Sequence, residues 1–149
     1  MDEAIRLSLE NVKNGGGPFG AVIVKDGKII SKGFNQVTQN NDPTCHAEVN
    51  AIREASKKLD NFELTGCEIY SSCEPCPMCL GAIYWARIDK IYFANTKSDA
   101  KNIGFDDSFI YDEMETPIEK RKIPTFRINH PDAIKAFETW DEKEDKLEY

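Results

Sequence analysis

The sequence predicts an α/β fold in which helices pack in layers against a β-sheet. Segments with helical spacing of apolar residues alternate with compact apolar runs, in the order helix, hairpin, helix, strand, helix, strand. Asp26-Gly27 between two apolar runs is a strong hairpin signal, because both turn positions need a positive φ. The length, 149 residues, fits a single domain around one core.

Asp2 to Asn14 carries Ile5, Leu9 and Val12 at steps of three and four, with Leu7 off that stripe, and reads as a short amphipathic helix. Gly15-Gly16-Gly17-Pro18 ends it. Phe19 to Lys25 and Lys28 to Asn35 are the two hairpin strands, and Gln36 to Pro43 is a polar loop. Asp42-Pro43-Thr44 opens a helix running to about Leu59, with Ala47, Ala51, Ile52 and Ala55 on its inner face. Cys67 to Ser72 is a buried strand. Met78 to Arg87 is a helix offering Leu80, Ala82, Ile83 and Trp85 for packing, and Lys90 to Ala94 is a further strand. In the last third, Gly104 to Met114 is expected as helix, Thr125 to Asn129 as strand and Pro131 to Lys143 as helix.

Charge and composition narrow the function. The net charge of −7 argues against a polynucleotide partner, which calls for a basic patch; Lys120-Arg121-Lys122 is short and follows several acids. The apolar runs are too short to span a bilayer. Met1-Asp2-Glu3-Ala4-Ile5-Arg6 has none of the features of a secretory leader, so a cytoplasmic location is expected. Five cysteines, an odd number, include Cys73, Cys76 and Cys79 within seven residues. In a reducing compartment such spacing points to metal ligation or catalysis rather than disulfides.

Cys76-Pro77-Met78-Cys79 places two thiols on one side of a helix start, near the positive end of its dipole. There are two histidines. His130, in Asn129-His130-Pro131, reads as a surface turn, whereas His46 opens the helix carrying Glu48. Taken alone, His46 is a helix-end histidine satisfied by backbone groups; taken with the cysteine pair, it is a third ligand. One histidine and two cysteines leave one position of a zinc (Zn2+) tetrahedron open, as catalytic sites do. A closed structural site recruiting Cys73, Cys45 or Cys67 is the rival reading. Glu48 lies about 200° around the helix from His46, so the two can converge only at the helix end. There a carboxylate serves as a base for water rather than as a ligand.

His46-Ala47-Glu48 followed by Pro75-Cys76-Pro77-Met78-Cys79 resembles the cytidine/deoxycytidylate deaminase superfamily, whose signature and chemistry are well characterised. Gly17-Pro18-Phe19-Gly20-Ala21-Val22-Ile23-Val24, Asn41 to Glu48 and Ser72-Cys73-Glu74-Pro75 resemble the branch holding transfer-RNA adenosine deaminases and bacterial guanine deaminases. Gly104 to Tyr111 and Glu148-Tyr149 resemble the bacterial guanine deaminases in particular. Cys45 departs from the pattern, where a small inert residue is expected.

The resemblance implies a three-layer cytidine deaminase-like fold, with a central mixed sheet of about five strands flanked by helices. It implies one zinc per chain on His46, Cys76 and Cys79, and hydrolytic deamination of guanine to xanthine and ammonia with Glu48 moving protons. It also implies substrate contacts from Phe19, Asn35, the backbone of Ala47, Trp85 and Tyr149, and a catalytic role for Asp107. For Asp106-Asp107 a helix cap is the alternative, and for Phe19 and Trp85 ordinary core packing. Glu74 is expected to cap the cysteine-bearing helix. Residues 1–149 are expected to form a single deaminase domain, with the C-terminal segment swapped in a homodimer. Guanosine, other aminopurines or aminotriazines, transfer-RNA adenosine, and a non-enzymatic zinc module remain open.

Overall fold

The computed structural model describes residues 1–149. The chain divides into two compact units, Met1–Ser108 and Phe109–Tyr149. The first is a mixed four-stranded sheet covered by helices. Its elements are α1 (Asp2–Lys13), β1 (Gly20–Lys25), β2 (Lys28–Phe34), α2 (Val37–Asn40), α3 (Ala47–Leu59), β3 (Cys67–Cys73), α4 (Pro77–Trp85), β4 (Lys90–Asn95) and α5 (Lys97–Asn102). The strands are ordered β2-β1-β3-β4. β1 is antiparallel to both neighbours, and β3 and β4, joined through α4, are parallel. The hairpin turn is made as expected, with Asp26 at φ 50° and Gly27 at φ 72°.

Side chains alternate across the sheet. Ala21 pairs with Gly33 and Ser71, and Ile23 with Ser31 and Ile69. This set faces the core, where Ala21, Ile23 and Ile69 join Ala47, Ala51 and Ala55 of α3, Ile83 of α4, and Leu64. α3 lies unusually close to β2. A Cβ on Gly33 would collide with the Ala47 carbonyl oxygen and lie 2.6 Å from the Ala51 amide nitrogen. The Ser31 hydroxyl donates to the Ala51 carbonyl at 2.6 Å across the same seam.

The opposite face receives α1, but not by the stripe that its spacing suggests. Ala4, Leu7, Ser8 and Asn11 are buried, and Ile5, Leu9 and Val12 are exposed. Two contacts decide this orientation. A Cβ on Gly20 would strike the Ala4 carbonyl oxygen and come within 2.8 Å of Leu7 Cβ, so the helix approaches the sheet through small groups. Asn11 Nδ2 donates to the carbonyls of Gly17 (2.7 Å) and Asn35 (2.8 Å), pinning that face inward.

The remaining differences are local. Part of the polar loop 36–43 is the short helix α2. α3 starts at Ala47, because His46 is in extended backbone as its N-cap. α5 is an element beyond those expected from the sequence, and Thr96 and Asp99 form a reciprocal capping box at its start. α6 (Ser108–Glu115) begins at the last residue of the first unit, and the second unit also holds a 3-10 turn (Ile118–Lys120) and α7 (Lys135–Asp141). Residues 125–129 run without sheet pairing, so the sheet has four strands rather than about five; Phe126 and Ile128 are exposed there. No helix is long and apolar enough to cross a membrane.

The Gly33 seat sets the height of α3 over the sheet. Gly33→Ala is expected to destabilise the protein by about 1–3 kcal/mol through overpacking. Denaturant unfolding measures this as a lower midpoint with an unchanged slope.

Candidate metal and catalytic centre

The ends of two helices build the centre. His46 is the N-cap of α3 (φ −72°, ψ 156°), and Cys76 is the N-cap of α4 (φ −65°, ψ 168°) with Pro77 in its first turn. Extended backbone at a cap lets the side chain cross the helix end instead of pointing sideways. Cys79 follows one turn into α4 and is fully buried. Cys76 Sγ lies 3.6 Å and Cys79 Sγ 3.5 Å from His46 Nδ1. The three ligand atoms all lie within 4.8 Å of one another.

These spacings fit zinc. Zn–S near 2.3 Å and Zn–N near 2.05 Å at a tetrahedral angle put sulfur and nitrogen about 3.6 Å apart. The donor set, two soft thiols and an imidazole, is also that of zinc. The other three cysteines are engaged elsewhere. Cys45 Sγ donates to Asp42 Oδ2 at 3.1 Å, Cys73 Sγ to the Thr96 carbonyl at 3.6 Å, and Cys67 belongs to the apolar core.

The thiol pair is electrostatically divided. The Cys79 thiol and the His46 ring hold Cys76 down to about 4, against the opposing effect of burial. The Cys76 partnership and burial push Cys79 up. The hydrogen bond with Cys76 raises His46. The positive ends of both α3 and α4 point at this negative charge.

Glu48, in the first turn of α3, is buried, and burial raises its carboxyl above the usual range. Its Oε2 is 3.3 Å from Cys79 Sγ, and its Oε1 accepts a hydrogen bond from the Ser71 hydroxyl at 2.9 Å. The carboxyl therefore stands beside the ligand cluster without being one of its three members. Ser71 is not legible in the sequence, since a serine in a period-2 strand pattern carries no signal of its own.

Asn35 is buried at the end of β2, and its Oδ1 accepts from the Val37 amide at 3.3 Å. Phe19 packs against the core and meets Phe105 edge to face, with centroids 4.9 Å apart. Ala47 is the first residue of α3, so its amide has no acceptor within the helix. Trp85 is at the far end of α4, about 9 Å along the axis from Cys79. It is 62 % exposed, with the Arg87 guanidinium 5.9 Å from its ring centroid. Tyr149 is in the second unit and exposed.

The two adjacent acids separate. Asp106 Oδ1 accepts from the amide (3.0 Å) and hydroxyl (2.6 Å) of Ser108, and Oδ2 pairs with Lys101 at 3.1 Å, so Asp106 takes the capping role. Asp107 is raised by burial and then by the charge on Cys76. Glu74 does not cap α4; its Oε2 accepts from the Lys97 amide at 3.0 Å, at the start of α5. His130 sits exposed in a turn, its Nδ1 accepting from the Asp132 amide at 3.1 Å.

Residues 1–95 match the model of the cytidine and deoxycytidylate deaminase zinc-binding region. The chain belongs to this family. It is 52% identical over 150 residues to the guanine deaminase of Bacillus subtilis (strain 168), covering 100% of this chain and 96% of that protein. An X-ray structure of guanine deaminase from Bacillus subtilis superposes with a TM-score of 0.97, at 52% identity, over 99% of this chain and 95% of that one. A guanine deaminase structure from Nitrosomonas europaea is similar at 33% identity and a TM-score of 0.69, over 71% of this chain and 62% of that chain. A tRNA-specific adenosine deaminase of Aquifex aeolicus (strain VF5) is 46% identical over 91 residues, 61% of this chain and 60% of that protein.

The single site demands about one zinc per chain by elemental analysis. Cys76→Ser and Cys79→Ser are each expected to lose most of it, whereas Cys45→Ala and Cys67→Ala keep it.

Proposed function

We propose that this protein is a guanine deaminase, converting guanine and water to xanthine and ammonia. The observation that carries the reading is the extent of similarity. Likeness to guanine deaminase runs through the whole chain, past the residues 1–95 shared with the wider family, whereas similarity to tRNA-specific adenosine deaminases reaches at most 70% of it among those compared. The net charge of −7 also favours a small purine over a polynucleotide.

His46, Cys76 and Cys79 hold the zinc. The chemistry that zinc supplies at such a site is the acidification of water to a nucleophile at neutral pH. Glu48 takes the proton that the water loses, passes it to the ring nitrogen next to the reacting carbon, and assists departure of the amine as ammonia. Its burial and its place beside the thiols suit that work. Asn35 and the first amide of α3, that of Ala47, bind the polar edge of the purine, and Phe19 walls its face. Asp107 assists proton transfer to the leaving amine, a role left open to it because Asp106 makes the cap. Trp85 and Tyr149 are assigned to the outer wall and the lid by resemblance. The five free cysteines and the thiol ligands suit a reducing cytoplasm.

The protein acts as a homodimer with exchanged C-terminal segments, each donating Tyr149 to the partner's site. The large apolar residues exposed in the second unit, among them Phe126, Ile128 and Phe137, support this reading, because a second copy would bury them.

Metal-loaded protein should release ammonia from guanine and form xanthine. Glu48→Ala should keep zinc and fold while lowering kcat by about 10²–10⁴-fold. Asp107→Ala should lower kcat with little change in melting temperature, and Asp106→Ala the reverse. Preference for adenosine in transfer RNA, or near-native turnover by Glu48→Ala, would overturn the assignment.

The exchange predicts a dimer by light scattering. It also predicts that inactive Glu48→Ala chains, refolded with chains lacking residues 147–149, regain activity. In such heterodimers one site has both an intact Glu48 and a donated tail. Heterodimers without recovery would refute donation in trans.

A further inference from the structure

Ser71 occupies a position where the fold asks for an apolar side chain. It lies on the core-facing side of β3 with Cys67 and Ile69, opposite Ala21, and is 1 % exposed. A hydroxyl buried on such a face is unfavourable unless it is hydrogen-bonded. Its hydrogen bond goes to Glu48 Oε1, at 2.9 Å.

That bond has a directional consequence. Glu48 is fixed through its backbone at the start of α3, but its carboxyl turns about three side-chain torsions. β3 is an interior strand, paired at Ser71 with Ala21 on one side and Phe93 on the other, so the donor sits on backbone held from both edges. With Oε1 engaged by Ser71, Oε2 is the oxygen that faces Cys79 and the ligand cluster. Cys79 donates to Oε2 only as a thiol. A thiolate ligand has no proton to give, and Ser71 is then the donor that still orients the carboxyl.

We propose that Ser71 is a positioning residue: its hydroxyl holds Oε1 of Glu48 so that Oε2 faces the His46, Cys76 and Cys79 cluster. The proposal rests on Glu48 being the proton-transfer group of the guanine deaminase reading.

The test compares Ser71→Ala and Ser71→Thr with the unmodified protein. Misorientation of a general base predicts that Ser71→Ala lowers kcat by about 10- to 100-fold. KM should stay within about twofold, because the substrate contacts are untouched. Zinc content and melting temperature should hold. Ser71→Thr, which keeps the hydroxyl, should restore kcat to within about threefold of the unmodified protein. A crystal structure of Ser71→Ala should show the Glu48 carboxyl rotated, a readout independent of substrate. An unchanged kcat, an unchanged carboxyl, no rescue by threonine, or loss of fold or zinc in Ser71→Ala would each overturn the proposal. If the unmodified protein leaves guanine intact while the carboxyl still rotates in Ser71→Ala, the substrate reading fails and the positioning role stands.

Discussion

The distance between His46 and the two thiols depends on how closely α3 lies on the sheet. That distance is set by small residues on both sides of the seam. Gly33 offers no Cβ, and Ala47, Ala51 and Ala55 present the smallest side chains a helix can carry. Along this seam the helix is therefore in backbone contact with the sheet, with Ile52 and Leu59 packing against the same core. Backbone contact resists small displacements more sharply, since packed atoms have nowhere to retreat. A ligand set that must meet at about 3.6 Å needs such rigidity.

The same close seat brings unfavourable groups into the interior. Glu48, Ser71, Ser31 and Asn35 are buried, yet every buried side-chain nitrogen and oxygen has a hydrogen-bond partner. The solution is local in each case. Ser31 bonds to the α3 backbone, Asn35 accepts from the Val37 amide, and Glu48 is met by Ser71. Negative charge at the cysteines is opposed by the His46 ring, and two helix N-termini point at it. Fixed dipoles of this kind need no reorganisation when charge develops nearby.

How much of this is legible in the sequence follows from the range of each signal. The cysteine pair is legible because its spacing is short and sits at a helix start, and His46, 30 residues earlier, because it opens another helix together with Glu48. The hairpin and the strand and helix order are legible for the same reason. The orientation of α1 is not. Its apolar stripe, Ile5, Leu9 and Val12, is a valid helical pattern, but the helix turns on Gly20 and on the reach of Asn11 to Gly17 and Asn35, which lie in other segments. The strand expected at 125–129 has suitable composition but is not part of the sheet. Ser71 matters through a residue 23 positions away in sequence. α5 is a different case: its Thr96 and Asp99 capping box is a purely local signal that can be read directly.

The Asp106 and Asp107 pair shows how structure separates two acids that composition leaves equivalent. Gly104, at φ 96°, turns the chain in a way an L-residue resists, and Phe105 closes edge to face on Phe19. With that turn set, Asp106 satisfies the Ser108 amide and hydroxyl and pairs with Lys101, and these partners hold its carboxyl down to about 2. It is thereby committed as an ionised cap. Asp107 shifts the other way, raised by burial and by the charge of Cys76. The two neighbouring acids are thus pushed in opposite directions by their surroundings. The Ser108 amide and hydroxyl are both met by Asp106, two residues back, which is the reach an aspartate cap has.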